Sequence, residues 1–171
     1  MQPKLIIVDG YNVILRSDRL KPGPGRTLRE SRAKLINLLA WMMGGNDVRF
    51  LVVFDGSAGA GQPATDEGIP RVQVVYARPP EIADHVIRRT VEKRIGGDET
   101  ITVVTSDLEV ARHARAMGAD ISFADLFLAS AFPSAKEGAE GEPEKPASIS
   151  KQELAEWVEL FKRRQGTGDE S

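Results

Sequence analysis

The chain has 171 residues and a formal net charge of −2, and its sequence contains no cysteine. Disulfides, thiolate zinc sites and cysteine nucleophiles are therefore excluded. No apolar run approaches the roughly 20 residues of a membrane helix, and the N-terminus lacks the apolar region of a signal peptide. We therefore expect a cytoplasmic protein with no membrane partner. Apolar residues make up 41% of the chain, which is enough to form a core.

Four short apolar runs, rich in Val and Ile, predict buried strands. They cover residues 5–8, 50–54, 72–76 and 101–105, and a weaker fifth strand is predicted near 120–123. Apolar spacing and helix-end signals predict helices over residues 27–44, 79–96, 106–118 and 125–129. After the first strand we expect a glycine turn and a long basic loop instead of an immediate helix. Apolar strands that alternate with helices indicate a parallel sheet covered on both faces.

A local excess of positive charge follows the first strand. From Arg16 to Lys34 the chain carries seven basic residues against two acids. This segment could follow a phosphate backbone. A solvated loop and helix face explains the same charges more simply, and the charge pattern alone favours that interpretation.

The C-terminal part of the chain changes in composition. Residues 131–148 are dominated by Pro, Gly, Glu, Ala and Lys, which predicts a disordered acidic linker. A capping-box pattern and apolar residues at helical spacing then predict an amphipathic helix over 149–165. That helix could pack on the domain, which we place at 1–130, or on a protein partner.

An acid follows each of the four main strands. Asp9 and Asp55 come directly after theirs, Asp107 follows the fourth strand after one serine, and Asp84 begins the helix after the third. The carboxyl ends of parallel strands meet at one edge, so these carboxylates should converge there. A single Asp could simply cap the next helix, which suits Asp107. Four neighbouring carboxylates repel one another unless a cation neutralises them, and Mg²⁺ or Mn²⁺ suits an all-oxygen site.

Other polar residues could join this edge. Asn12 could orient a phosphate, a metal-bound water or a neighbouring Asp, or it could be an ordinary turn residue. Glu81 is either an extra metal ligand or a partner of the helix N-terminus. Thr105 and Ser106 could hydrogen-bond the metal shell or merely cap a helix. Asp125 could be a fifth acid if a strand ends near residue 123.

Four motifs, in this order, resemble the NYN domain of the YacP-like group, which belongs to the PIN-like nuclease superfamily. They are DGYNVI at 9–14, FDG at 54–56, EIAD at 81–84 and VVTSD at 103–107. The resemblance covers roughly residues 4–130, so that the linker and the final helix fall outside it. It implies a three-layer α/β/α fold, with the strand order 3-2-1-4-5 usual for this fold, and metal-dependent cleavage of RNA.

The resemblance also implies roles for individual residues. Asp9, Asp84 and Asp107 match the acidic metal-binding positions, Asn12 matches the amide of the motif, and Asp55 matches the acid after the second strand. RESRAKLI at 29–36 resembles the arginine-bearing first helix of the family, which puts Arg32 near the site.

Together these observations predict a metal-dependent endoribonuclease that hydrolyses RNA at the carboxyl edge of the sheet with Mg²⁺ or Mn²⁺. The predicted catalytic residues are Asp9, Asn12, Asp84 and Asp107. The predicted metal ligands are Asp9, Asp55, Asp84, Asp107 and Glu81. The predicted RNA-binding residues are Arg16, Arg26, Arg29, Arg32 and Arg88. A structure-selective DNA nuclease and a non-catalytic RNA-binding module are the alternatives. A ribonucleoprotein or protein partner could bind through the C-terminal helix.

Overall fold

The structure is a computed structural model in which residues 2–42, 47–56 and 69–131 are described. The chain divides into two units, residues 1–134 and 135–171, and all described residues belong to the first. Its elements are β1 (Lys4–Asp9), α1 (Gly10–Leu15), α2 (Leu28–Met42), β2 (Val48–Asp55), β3 (Val72–Ala77), α3 (Ala83–Arg94), β4 (Thr100–Val104), α4 (Leu108–Met117), β5 (Asp120–Ser122) and α5 (Ala124–Ala131).

The five strands form one sheet in the order β3-β2-β1-β4-β5, and every neighbouring pair is parallel. The central strand is β1, in which Ile6 pairs with Phe50 on one side and Thr102 on the other. The predicted fold class and strand order are therefore confirmed. The chain reverses its winding between β1 and β4, which is where α/β sheets open a crevice for ligands.

Helices cover both faces of the sheet. On one face, Val8, Val52 and Val104 belong to a single apolar cluster that includes buried residues of α1, α2 and α5. The alternate strand residues point the opposite way because successive side chains of a strand face opposite sides. Buried Ile7 and Val103 are among them. On that second face α3 contacts α4, β1 and β2. Burial on both faces explains why the strands are nearly continuous apolar runs.

The segment after β1 differs from the sequence prediction. We expected a glycine turn and a loop after Asp9, but α1 begins at Gly10 directly. A Cβ atom on residue 10 would lie 2.3 Å from the ring of Phe54, so only glycine permits this close approach. Val13 and Ile14 are fully buried in the core. Tertiary packing thus stabilises a short helix that glycine disfavours intrinsically.

Other limits shift by a few residues. Pro79-Pro80, which joins through a cis peptide bond, precedes α3 and does not open it, since that helix begins at Ala83. The weak fifth strand and the short helix after it are present as β5 and α5. The predicted acidic linker and C-terminal helix lie outside the described residues, apart from Ala131, which ends α5. Within the described ranges every helix is too short or too polar to cross a bilayer.

Candidate active site

The candidate site is centred on Asp9, the last residue of the central strand. Its side-chain Oδ2 accepts a hydrogen bond of 3.1 Å from Thr105 Oγ1. Burial raises the pKa of Asp9 to about 7; the Thr105 bond lowers it, and the charges of Asp107, Asp55 and Asp84 raise it further. Asp9 lies at the N-cap of α1, but its side chain makes no capping hydrogen bond. Its carboxylate is therefore not held by the helix that follows it.

We name Asp9, Asp55, Asp84 and Asp107 the acidic rim. Three of its carboxylates act electrostatically on the fourth, which places the four acids in one region at the carboxyl edge of the sheet. Asp9 and Asp55 end β1 and β2, Asp84 lies in the first turn of α3 after β3, and Asp107 lies between β4 and α4. This edge includes the β1–β4 boundary where the winding of the sheet reverses.

Backbone and side-chain hydrogen bonds fix the β4 side of the acidic rim. Asp107 Oδ1 accepts from the backbone N–H of Glu109, at 2.9 Å, and of Val110, at 3.4 Å, so it caps α4. The backbone N–H of Asp107 donates to Thr105 Oγ1 over 3.0 Å, and the same hydroxyl donates to Asp9. Asp107 therefore has the capping role that its sequence position suggested, and it also holds Thr105 in place for Asp9.

Asn12 is tied to the same connection. Its side-chain oxygen accepts a 2.7 Å hydrogen bond from the backbone N–H of Ser106. Asn12 lies in α1 and Ser106 lies 94 residues further along the chain, so this bond joins the two central connections. Because the amide oxygen is committed to the backbone, the amide NH₂ is the group that Asn12 can offer to a ligand.

The acids on the α3 side are held differently. Asp55 Oδ1 accepts from the backbone N–H of Ala83 at 2.8 Å, at the start of α3. Asp84 forms two hydrogen bonds with Arg88, one turn further along the helix, from Nε at 2.6 Å and from Nη2 at 3.3 Å. Glu81 is paired with Arg89. The Asp84–Arg88 spacing of four residues is visible in the sequence and favours a pair on a helix, but this pair was not predicted.

The donor types of the acidic rim suit a hard divalent cation, although these side chains do not form a closed cage. Among residues 2–42, 47–56 and 69–131, no group of three or more His, Cys, Asp or Glu is arranged to hold a metal ion. Mg²⁺ commonly takes only one or two protein carboxylates and completes its shell with waters and substrate phosphate. The partly buried Asp9, surrounded by other acids, is a carboxylate that a cation would stabilise. The residues therefore fit such an ion by their chemistry.

The predicted RNA-binding arginines are placed in different ways. Arg29 is exposed on α2, and Arg26 donates to the backbone oxygen of Arg19. Arg32 is only 6% exposed, and its Nη1 donates to the Tyr11 hydroxyl over 3.0 Å. Its guanidinium also lies 5.9 Å from the ring centroid of Tyr76. Arg32 is thus built into the aromatic packing beside α1 rather than standing free in solvent.

Arg16 faces Asp125 at 3.9 Å, and its guanidinium lies over the Phe123 ring. Burial raises the pKa of Asp125, and Arg16 partly opposes that shift. The carboxylates that raise the pKa of Asp9 are those of Asp107, Asp55 and Asp84. The structure therefore gives Asp125 a partner of its own, Arg16.

The fold and this site define a doubly wound α/β domain with an acidic rim at its topological switch point. A family model described as YacP-like NYN domain matches residues 6–162, and the chain belongs to that family. The match extends past residue 130, so the resemblance to the family covers more of the chain than the expected residues 4–130. It includes the predicted acidic linker and most of the predicted C-terminal helix.

Solved structures agree with this assignment. Two crystal structures of Rae1 (YacP) from Bacillus subtilis, one of them of a mutant, resemble the chain with a TM-score of 0.63 each. They are 25% and 26% identical in sequence; the mutant match covers 95% of this chain and the other 97%, and each covers 96% of the Rae1 chain. A comparison with curated proteins gave no match.

Proposed function

We propose that this protein is a metal-dependent endoribonuclease that hydrolyses RNA phosphodiester bonds at the acidic rim. Membership of the YacP-like NYN family, a family of PIN-like ribonucleases, supports ribonuclease activity in general. The observation that carries the finer proposal is the convergence of three acids on the partly buried Asp9. A module that only bound RNA would gain nothing from negative charge gathered where phosphates must approach.

The ion that we propose is Mg²⁺ or Mn²⁺, held by Asp9 together with Asp84 or Asp107, with Asp55 beside them. When bound, it would activate a water molecule and neutralise negative charge on the phosphate. Glu81 is a less favoured candidate for a metal ligand because its carboxylate is paired with Arg89. A site with few protein ligands leaves coordination positions for water and for an oxygen of RNA.

The chain's own residues prepare this site. Thr105 donates to Asp9 and keeps one carboxylate oxygen oriented, while Asp107 keeps Thr105 in place through its backbone N–H. Asn12 can donate its NH₂ to a phosphate oxygen because its carbonyl is held by Ser106. These hydrogen bonds exist before substrate binds, so little reorganisation is needed when it does.

RNA would be held mainly through its backbone. Arg26 and Arg29 belong to the basic segment 16–34, which comes directly after Asp9 and α1 in the chain. Arg16, at the end of α1, is the nearest of this segment in sequence to the site. Contacts of this kind bind phosphates without reading bases, so we expect little intrinsic sequence preference. Arg32 would act through Tyr11, whose hydroxyl it holds.

The test is cleavage of labelled single-stranded RNA by the full chain, with Mn²⁺, with Mg²⁺ and with EDTA. We expect internal cleavage with either metal and none with EDTA. A DNA strand of the same sequence, and DNA with single- to double-strand junctions, are the matched substrates. Preferential cleavage of DNA would replace this proposal by a structure-selective DNA nuclease. Binding of RNA without cleavage under every metal condition would leave the non-catalytic RNA-binding module.

A further inference from the structure

The Asp84–Arg88 pair places a positively charged side chain on an acid of the acidic rim. Arg88 Nε lies 2.6 Å from one oxygen of Asp84, and Nη2 lies 3.3 Å from the other. The side chains are 21% and 32% exposed, so the pair is partly shielded from water. Both residues lie on α3 at a spacing of four, with the acid nearer the N-terminus, which is the favourable order on a helix.

This pairing competes directly with a cation at Asp84. A guanidinium that contacts both carboxylate oxygens occupies the approach to them and repels a divalent ion through its own charge. In the described residues no three acids are arranged as metal ligands. Asp84, moreover, already has a cationic partner, Arg88. A metal ion that takes Asp84 must therefore displace Arg88.

Arg88 has a second acid close by. Its Nη2 lies 3.9 Å from Glu109 Oε2, which is beyond hydrogen-bonding distance but within the range of an ion pair. Glu109 belongs to the first turn of α4, two residues after Asp107, and its side chain is 79% exposed. A small rotation of the Arg88 side chain would bring it away from Asp84 and towards Glu109. There it would face solvent at the edge of the acidic rim.

We propose that Arg88 is an exchangeable counter-ion of the site. Without metal its guanidinium neutralises Asp84; when a divalent ion binds Asp84, the guanidinium turns outward and binds a phosphate of the RNA. This inference rests on the proposed metal-dependent function and adds an order of events to it. Metal binding frees the arginine that the substrate then uses, so metal and RNA support each other's binding.

The first experiment measures Mg²⁺ binding by calorimetry with the full chain and no RNA. Arg88→Gln removes the competing charge but keeps a polar side chain, and it should bind Mg²⁺ about twofold to fivefold more tightly. The matched control is Lys93→Gln, which removes the same charge from an exposed position of α3. That control should leave Mg²⁺ affinity unchanged. Equal or weaker Mg²⁺ binding by Arg88→Gln would overturn the exchange.

The second experiment watches the arginine itself. The Nε–H resonance of Arg88 in ¹⁵N-labelled protein is assigned by its absence in Arg88→Gln. We expect it to move towards the position of a solvated guanidinium as Mg²⁺ is added, along the same saturation curve as in calorimetry. An unchanged resonance at saturating Mg²⁺ would overturn the exchange while leaving the metal site intact. Absence of Mg²⁺ binding in the unmodified chain would instead overturn the proposed metal-dependent function, and the exchange with it.

The third readout separates substrate binding from metal binding. With saturating Mg²⁺ and labelled single-stranded RNA, Arg88→Gln should raise KM for RNA, although its metal site is tighter. A variant that had merely lost structure would bind both ligands more weakly, the metal as well as the RNA. An unchanged KM would show that the freed guanidinium does not contact the RNA.

Discussion

The two edges of the sheet each carry an acid that is largely withdrawn from water, and the two acids have opposite surroundings. At the amino edge, Glu99 precedes β4 and its side chain is 13% exposed. It lies between Arg49 of β2 and Arg94 of α3, at 3.1 Å from the Arg94 Nη1. At the carboxyl edge, Asp9 lies among three other acids, and its pKa is raised to about 7.

The difference separates a structural acid from a candidate functional one. Two arginines compensate the charge of Glu99, so this acid needs no bound cation to neutralise it. Apart from the hydroxyl of Thr105, the surroundings of Asp9 disfavour its charge. A carboxylate whose negative charge the fold does not compensate is a candidate functional group, because a bound ligand could compensate that charge. Each of the following predictions tests that contrast.

The largest expected effect is on the pH dependence of stability. The pKa of Asp9 is about 7 in the folded protein and 3.8 in a model peptide. Between these values the folded state holds a proton that the unfolded chain has lost, so the free energy of unfolding decreases as pH rises from about 4 to about 7. The decrease due to Asp9 is at most about 4 kcal/mol.

Urea unfolding in EDTA at several pH values measures this effect. Asp9→Asn has no proton to lose there and should show a flatter profile than the unmodified chain. The two proteins should differ most in stability at pH 8, where the variant is the more stable. Parallel profiles across this range would show that Asp9 ionises as it does in solution, and the contrast between the two edges would disappear.

The next effect is on catalysis. Asp9→Asn removes a proposed metal ligand and keeps the shape of the side chain, so single-turnover RNA cleavage with saturating Mn²⁺ should slow at least about a hundredfold, or about 2.7 kcal/mol. Asn12→Ala should cost less, because an amide orients but does not neutralise. Glu99→Gln, at the other edge, should cleave at the normal rate. Circular dichroism confirms folding, and a folded Asp9→Asn protein with normal activity would exclude the mechanism.

Metal should stabilise the carboxyl edge specifically. An ion that binds only the folded state adds about 2.7 kcal/mol to the free energy of unfolding at a hundred times its Kd. Thermal unfolding with and without Mg²⁺ should therefore show a higher Tm with the ion. The double variant Asp9→Asn, Asp107→Asn should lose this increase, whereas Glu99→Gln should keep it. The same increase in all three proteins would place the ion elsewhere.

At the amino edge a loss of charge should destabilise the fold. Glu99→Gln breaks its pairing with Arg49 and Arg94, whose side chains are 49% and 39% exposed. Pairs with partners this exposed are weak, so we expect a loss of about 1 kcal/mol in urea unfolding at pH 8. The sign is opposite to that of Asp9→Asn at the same pH. A stabilised Glu99→Gln protein would mean that the two acids are alike.

The smallest effect is on the salt dependence of RNA binding. Arg26→Glu combined with Arg29→Glu should weaken binding similarly for RNAs of different sequence. The slope of log K against log salt should become shallower by about one for each phosphate contact that is lost. Fluorescence anisotropy at several salt concentrations measures the slope. A loss confined to one RNA sequence would instead indicate that these arginines read bases.

The sequence alone predicted the architecture and the membership of the acidic rim. Apolar runs of five or so residues, separated by helices, specify a parallel sheet because both faces must be covered. Once the sheet is parallel, an acid after each strand must lie at the same edge, whatever the loops do. Asp9, Asp55, Asp84 and Asp107 could therefore be grouped without coordinates. The short helix α1 could not be predicted, because glycine intrinsically disfavours a helix. The close contact with Phe54, which requires glycine at residue 10, is visible only in the folded structure.

Tertiary structure alone decided the state of Asp9. The pKa of Asp9 depends on its burial and on charges that lie 46, 75 and 98 residues away in the chain, at Asp55, Asp84 and Asp107. Its hydrogen bond joins it to a threonine 96 residues away. Local sequence carries no measure of these distances, whereas the pairing of Asp84 with Arg88 needs only one turn of helix. The sequence thus determined which acids follow the strands, and folding determined that the charge of Asp9 is disfavoured by burial and by the other three acids, because burial and Coulomb interactions depend on positions in space.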